Sequence, residues 1–162
     1  LKRYSLDTIK RIEEFALKRT NATVEVYHAD SRKVNFPPID GVITSPPYVG
    51  LINYHVQHIY AYHLLGLEDK REKEIGAASN GSSQTARQQY VEDLVEVLCR
   101  VIDAMPKGGR LVVVANDKFD LYGEIAESVG VEVERILKRH VNRRTGRRSS
   151  EFYASIFIWR KR

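Results

Sequence analysis

Cysteine is nearly absent: Cys99 stands alone among 162 residues, so no disulfide can close within the chain. A reducing, cytoplasmic setting is the natural expectation for such a sequence. Cys99 lies in an apolar stretch of helical spacing and reads as a buried structural thiol rather than a nucleophile. Long hydrophobic runs are missing too, and no stretch approaches the ~20 apolar residues that a membrane-spanning helix requires. No internal repeat or low-complexity tract occurs. The first residue is Leu rather than Met, which leads to the expectation that the sequence is a piece of something longer.

What is present fits one domain with a real core, because 43% of the 162 residues are hydrophobic. Lys and Arg number 26 against 21 Asp and Glu, and the resulting net charge of +5 mildly favours polyanionic partners. Apolar residues recur at helical spacing from Ser5 to Arg19. Val24 and Val26 then read as a short strand that stops at Asp30. Asp40-Gly41 leads into Val42-Ile43-Thr44, a brief strand apolar on both faces, as suits the centre of a parallel sheet. Leu51 to Leu67 reads as a helix, and Glu68 to Gln89 as charged and then Gly/Ser-rich, the best candidate for a mobile loop. Tyr90 to Met105 is the clearest helix, closed by Pro106-Lys107-Gly108-Gly109. Arg110 to Asn116 reads as a buried strand, followed by a short helix capped by Asp120 and ending at Gly130. Val131 to Val141 and Phe152 to Trp159 pair as two strands around a basic loop. This alternation predicts an α/β fold: a mostly parallel sheet, helices on both faces and one antiparallel edge strand.

The chemistry centres on Ser45-Pro46-Pro47-Tyr48, just past the carboxyl end of a predicted strand, where open α/β sheets place their ligands. An exocyclic amino nitrogen on a base is a poor nucleophile because its lone pair is delocalised into the ring. Acceptors for its two N–H protons pull it toward tetrahedral geometry and raise its electron density. The Ser45 hydroxyl and the Pro46 carbonyl are suitable acceptors, and two prolines fix φ so that the carbonyl is held at little entropic cost. Tyr48 offers a face on which a flipped base can stack, worth ~1–3 kcal/mol.

Thr44-Ser45-Pro46-Pro47-Tyr48 resembles the catalytic motif of the amino-methyltransferases, in which Ser, Asp or Asn precedes Pro-Pro and an aromatic residue. The closest resemblance is to the DNA cytosine-N4 and adenine-N6 modification enzymes, which belong to a restriction–modification setting; Ser in first place is commonest among the cytosine-N4 enzymes. Tyr27-His28-Ala29-Asp30 is similar to the family's strand-end acidic motif, and Asp40 to Thr44 to the strand that feeds the catalytic turn. Leu98 to Val114, with its Pro-Lys-Gly-Gly-Arg turn, looks like the helix and strand that follow. The resemblance implies a Rossmann-like methyltransferase fold, S-adenosylmethionine as cofactor and DNA as partner. It implies catalytic roles for Ser45, Pro46, Pro47 and Tyr48, and cofactor contacts from Ala29, Asp30, Thr44 and Ser45, with Asp30 meeting the cofactor's adenine.

The family's Gly-rich cofactor loop is missing, since Gly108-Gly109 precedes a strand rather than following one. The acidic residue expected to hold the cofactor ribose is missing as well. Residues 1–162 therefore resemble the C-terminal, catalytic part of one methyltransferase domain. By that resemblance an omitted strand lies between those ending at Asp30 and Ser45, and its loss exposes two edges. The expectation is an upstream segment or second polypeptide carrying the missing half.

Lys138, Arg139, Arg143, Arg144, Arg147 and Arg148 form a basic stretch without an acidic residue, a candidate phosphate grip in which each contact adds about one unit of salt-dependence slope. His55, His58 and His63 share a helix with Tyr54, and two histidines on one face without a third ligand make a poor zinc site. Core packing, or lining of a base pocket by Tyr54, is the expectation. Asn116-Asp117 either lines the target pocket or caps the next helix. RNA guanine N2 is a further possible target, and a binding module that kept the fold without activity is the rival reading.

Overall fold

The computed structural model describes residues 2–141 and 152–162. Helix α1 (Lys2–Ala16) opens the chain, and β1 (Gly41–Thr44) follows after a long irregular segment. Short helices α2 (Tyr54–Gln57) and α3 (Ile59–Leu65) lead through two 3-10 turns to the long helix α4 (Gln84–Asp103). Then come β2 (Arg110–Ala115), α5 (Tyr122–Val129), β3 (Val131–Val141) and β4 (Phe152–Lys161).

The four strands lie in the order β1-β2-β4-β3, with β1 parallel to β2 and β4 antiparallel to both of its neighbours. The sheet is therefore mixed, with β1, β2 and β3 running the same way; the antiparallel strand is not at the rim as expected, because the final hairpin inserts β4 beside β2. A bulge between Val133 and Arg135 sets Glu134 against Arg110, at 2.8 Å, and against Arg160. No strand forms over 24–30; that stretch is irregular, exposed as far as Ala29 and half-buried at Asp30, so of the two free edges expected only that of β1 exists among the described residues.

Burial is one-sided. Leu111, Val113 and Ala115 of β2 share a face with Phe157 and Trp159 of β4, and all are buried. α4 brings Tyr90, Val91, Leu94, Leu98, Val101 and Ile102 to that face, and α5 brings Tyr122, Ile125, Ala126 and Val129. The intervening residues Val112 and Val114 are only half-buried, and Ile43, beside Val112, is 83% exposed. Helices on both faces are thus not what the described residues assemble. The apolar stripe of α1 (Leu6, Ile9, Ile12, Phe15) is exposed as well.

Local chemistry sets the helix ends. Ser83 accepts from the Ala86 amide and starts α4 six residues before Tyr90, where apolar spacing alone begins it. The carbonyls of Ile102 in its last turn and of Met105 just past its end each accept from Lys161 Nζ at 2.7 Å. Asp117, not Asp120, caps α5, its carboxylate accepting from the amides of Leu121 and Tyr122. The predicted helix over 51–67 divides at His58 into α2 and α3. The Gly/Ser-rich stretch is ordered around two 3-10 turns, with Ala77 buried.

Two phenols sit in the core. Tyr90 and Tyr122 are almost fully buried with their hydroxyls 2.7 Å apart, and burial pushes Tyr90 up to about 12.

Replacing Trp159 with Ala should cost about 3–5 kcal/mol in denaturant unfolding, whereas Ile43→Ser, on the uncovered face, should change stability by less than about 0.5 kcal/mol. Equal losses at both positions would contradict the one-sided core. The native Tyr90 phenol holds its proton more tightly than an unfolded one, whose pKa is about 10. Its contribution to stability is therefore complete below about pH 10 and lost as pH rises through about 12. Tyr90→Phe should flatten the alkaline fall in unfolding free energy; an unchanged slope would contradict this.

Candidate active site

Parallel pairing brings the carboxyl ends of β1 and β2 to one edge of the sheet, with Thr44 opposite Val113. Two loops leave that edge side by side: Ser45 to Gly50 after β1, and Asn116 to Leu121 after β2. Ser45 is exposed, Pro46 buried, and Pro47 and Tyr48 half-buried. Tyr48 and Val49 pack against the core. The serine hydroxyl thus stands at the surface while the residues behind it are anchored.

Prolines have no amide hydrogen, so the bend cannot be fixed by N–H groups at positions 46 and 47. Carbonyls and the following residues hold it instead. Tyr90 donates to the Pro47 carbonyl at 2.8 Å, the Leu51 amide to the Tyr48 carbonyl at 3.2 Å, and the Gly50 amide to the Gly76 carbonyl at 3.0 Å. Gly50 (φ +63) and Gly76 (φ +68) are both left-handed. A Cβ on Gly50 would lie 2.3 Å from the Gly81 carbonyl oxygen, and one on Gly76 would lie 2.8 Å from the Tyr90 ring. The stretch expected to be mobile is clasped over the Pro-Pro turn at these two points.

Tyr54, at the start of α2, has its phenol pKa raised, first by burial and then by the nearby Tyr48 and Glu74. The structure therefore gathers Tyr48, Tyr54 and Tyr90 around the turn. Asp117 is drawn into the same surroundings: burial raises its carboxyl pKa against the lowering effect of the two amides it caps. Of its two expected roles, the cap is the one with hydrogen bonds behind it.

Asp30 is set differently from the expectation. Instead of ending a strand, it turns back on Arg32, whose backbone N and Nε donate to Oδ1 and whose Nη2 donates to Oδ2, each at 3.0 Å. Arg32 also reaches Asp93 on α4 at 3.1 Å and the Lys73 carbonyl at 2.8 Å. These bonds to Arg32 hold the Asp30 carboxyl below its usual range. Ala29 is exposed and Thr44 half-buried. Arg143, Arg144, Arg147 and Arg148 lie outside the described residues.

His55 is buried, with Nδ1 3.3 Å from an Asp69 carboxylate oxygen and its ring 4.4 Å from that of Tyr62. Among the described residues no group of three or more His, Cys, Asp or Glu side chains is arranged to hold a metal ion. A polar hollow of about 390 Å³ lies along the first turns of α4, between Gln84 and Glu92, and includes none of the turn residues. Tyr90 and Tyr122 are the site residues that spacing could not single out, since both look like ordinary aromatics on the apolar faces of helices.

No family model matches the chain. It is 38% identical to the Type II methyltransferase M.MjaII of Methanocaldococcus jannaschii, in an alignment covering 97% of this chain and 33% of that protein. The chain thus spans about a third of the length of the curated relative it matches. The crystal structure of TTHA0409 from Thermus thermophilus, described as a candidate DNA modification methylase, superposes with a TM-score of 0.50 at 19% identity, covering 82% of this chain and 52% of that one. The same protein complexed with S-adenosyl-L-methionine gives 0.49 at 18% identity, covering 82% and 53%. The first of these superpositions shows a shared methyltransferase-like α/β fold. The resemblance read from the Ser45–Tyr48 turn and its flanks therefore holds along nearly the whole chain, which is a homologue of part of a Type II methyltransferase.

Proposed function

We propose that the chain is the catalytic part of an S-adenosylmethionine-dependent DNA methyltransferase acting on an exocyclic amino group, cytosine N4 first and adenine N6 second. The observation that carries this reading is the Ser45-Pro46-Pro47-Tyr48 turn at the carboxyl edge of β1, with Ser45 exposed and Pro47 anchored, in a homologue of a Type II methyltransferase. A base reaches such a turn only when flipped out of its helix. The Ser45 hydroxyl and Pro46 carbonyl accept its two N–H groups, Tyr48 stacks on the ring, and Tyr54 lines the same pocket. No strong general base is needed, because the amino group gives its surplus proton to solvent after methylation. The lone Cys99 suits a reducing, cytoplasmic setting.

When bound, S-adenosylmethionine supplies an electrophilic methyl group. Asp30 fits one end of it: two bonds fall on Oδ1 and one on Oδ2, so of about four lone-pair sites on the carboxylate one stays open to an adenine N–H. Arg32 keeps that carboxylate ionised and oriented. Thr44, Ser45 and Ala29 complete this chain's share of the cofactor contacts. The rest belongs to an upstream segment or second polypeptide whose strand pairs with β1. The unpaired outer edge of β1, exposed Ile43 and the bare apolar stripe of α1 support that partner. Arg143, Arg144, Arg147 and Arg148 serve as the phosphate grip.

Calorimetric titration with S-adenosylhomocysteine should show binding once the complementary segment is restored; no binding even then favours the inactive, nucleic-acid-binding module. Radiolabelled methyl transfer to DNA and tRNA, followed by nucleoside mass spectrometry, should yield N4-methylcytosine in DNA. N6-methyladenine would move the assignment to adenine, and product on RNA alone, such as N2-methylguanine, would overturn the DNA reading. Ser45→Ala should lower kcat by about 10–100-fold even at saturating cofactor. Tyr48→Ala should weaken base binding by about 1–3 kcal/mol. Unchanged kinetics in both variants would remove the turn from the mechanism.

A further inference from the structure

We infer that the Tyr122–Tyr90 hydroxyl pair is a positioning relay that holds the diproline bend in the shape that receives the target amino group. The inference rests on the function proposed above and adds two residues to it.

Proton bookkeeping fixes the direction of the relay. Tyr90 has a single hydroxyl proton, and the Pro47 carbonyl, 2.8 Å away, can only accept it. The 2.7 Å contact between the two hydroxyls must then be a donation from Tyr122 to Tyr90. A donor that is itself hydrogen-bonded at its oxygen gives a stronger bond to its acceptor. The Pro47 carbonyl is therefore gripped by a polarised phenol rather than by an isolated one.

The relay also has little slack. Tyr90 sits on α4 and Tyr122 at the start of α5, and both rings are nearly inaccessible to solvent. The Tyr122 ring stacks on Phe157 of β4 at 4.9 Å, with an interplanar angle of 11°. On the other flank, the Tyr90 ring abuts Gly76, whose carbonyl takes the Gly50 amide. One ring thus touches the bend through its hydroxyl and the clasp over the bend through its edge. Because positions 46 and 47 offer no amide hydrogens, the Tyr90 hydroxyl stands in for a backbone bond that the sequence cannot make. Losing it frees the Pro47–Tyr48 peptide to tilt, and the shift, passed back through Pro47, carries the Pro46 carbonyl out of register with the Ser45 hydroxyl.

Tyr90→Phe and Tyr122→Phe remove the hydroxyls and keep the rings, and the core trim Ile102→Val on α4 serves as the control. In the methylation-competent protein, Tyr90→Phe should lower kcat about 10–100-fold while KM for the methyl donor changes less than about 2-fold. Tyr122→Phe should give a smaller loss, and the double variant should be no worse than Tyr90→Phe alone, because the relay acts as one unit. Ile102→Val should leave kcat alone. Amide hydrogen exchange at Gly50 and Leu51, followed by NMR, gives a readout that does not depend on activity. It should accelerate about tenfold in Tyr90→Phe and stay unchanged in Ile102→Val. Unchanged exchange in Tyr90→Phe, or additive kcat losses in the double variant, would overturn the relay. Accelerated exchange in a protein that methylates no nucleic acid would leave the relay standing and defeat the functional reading instead.

Discussion

Two consecutive prolines take away the amide hydrogens with which a chain normally ties down a tight bend, and this local architecture is the answer to that loss. The anchoring passes to carbonyl oxygens: Pro47 to the Tyr90 hydroxyl, Tyr48 to the Leu51 amide, and Gly76 to the Gly50 amide. Tyr90 can do this only because α4 buries its ring, and α4 is placed by the same core that seats α5 and the buried face of β2 and β4. The shape of the turn is therefore set by helix packing. A change that moves the Tyr90 or Tyr122 ring reaches the turn through the hydroxyl on Pro47 and the ring edge against Gly76.

The molecule is dense on one side of this turn and open on the other. Leu111, Val113 and Trp159 are wholly enclosed, while Ile43, one strand away, stands in solvent beside an unpaired β-edge. Exposed apolar side chains beside an unpaired β-edge ask for cover, and the stripe of α1 is bare as well. The turn lies on the border between the two halves.

Elements whose partners all lie within the chain were legible in the sequence. β2, α4, α5 and the β3–β4 hairpin have their packing faces written in residue spacing, and each forms close to where that spacing places it. Val24 to Asp30 carries a strand-like pattern but pairs with no strand among the described residues, and it is irregular and mostly exposed. The sheet is mixed because the β3–β4 hairpin sets its own antiparallel strand, β4, beside β2. The turn itself was legible because proline is a covalent constraint. Its anchors were not. Tyr90 and Tyr122 occupy apolar helix positions like any core aromatic, and only the three-dimensional meeting of their hydroxyls with Pro47 sets them apart. Asp117 and Asp120 are chemically identical caps on paper, and the path of the loop decides between them.

The most direct test is a crystal structure of the methylation-competent protein bound to its target duplex and a non-transferring analogue of the methyl donor. The account predicts a flipped base stacked on Tyr48, with its amino nitrogen about 2.7–3.2 Å from both the Ser45 hydroxyl and the Pro46 carbonyl. A flipped base seated elsewhere, with Ser45 and Pro46 facing solvent, would contradict it.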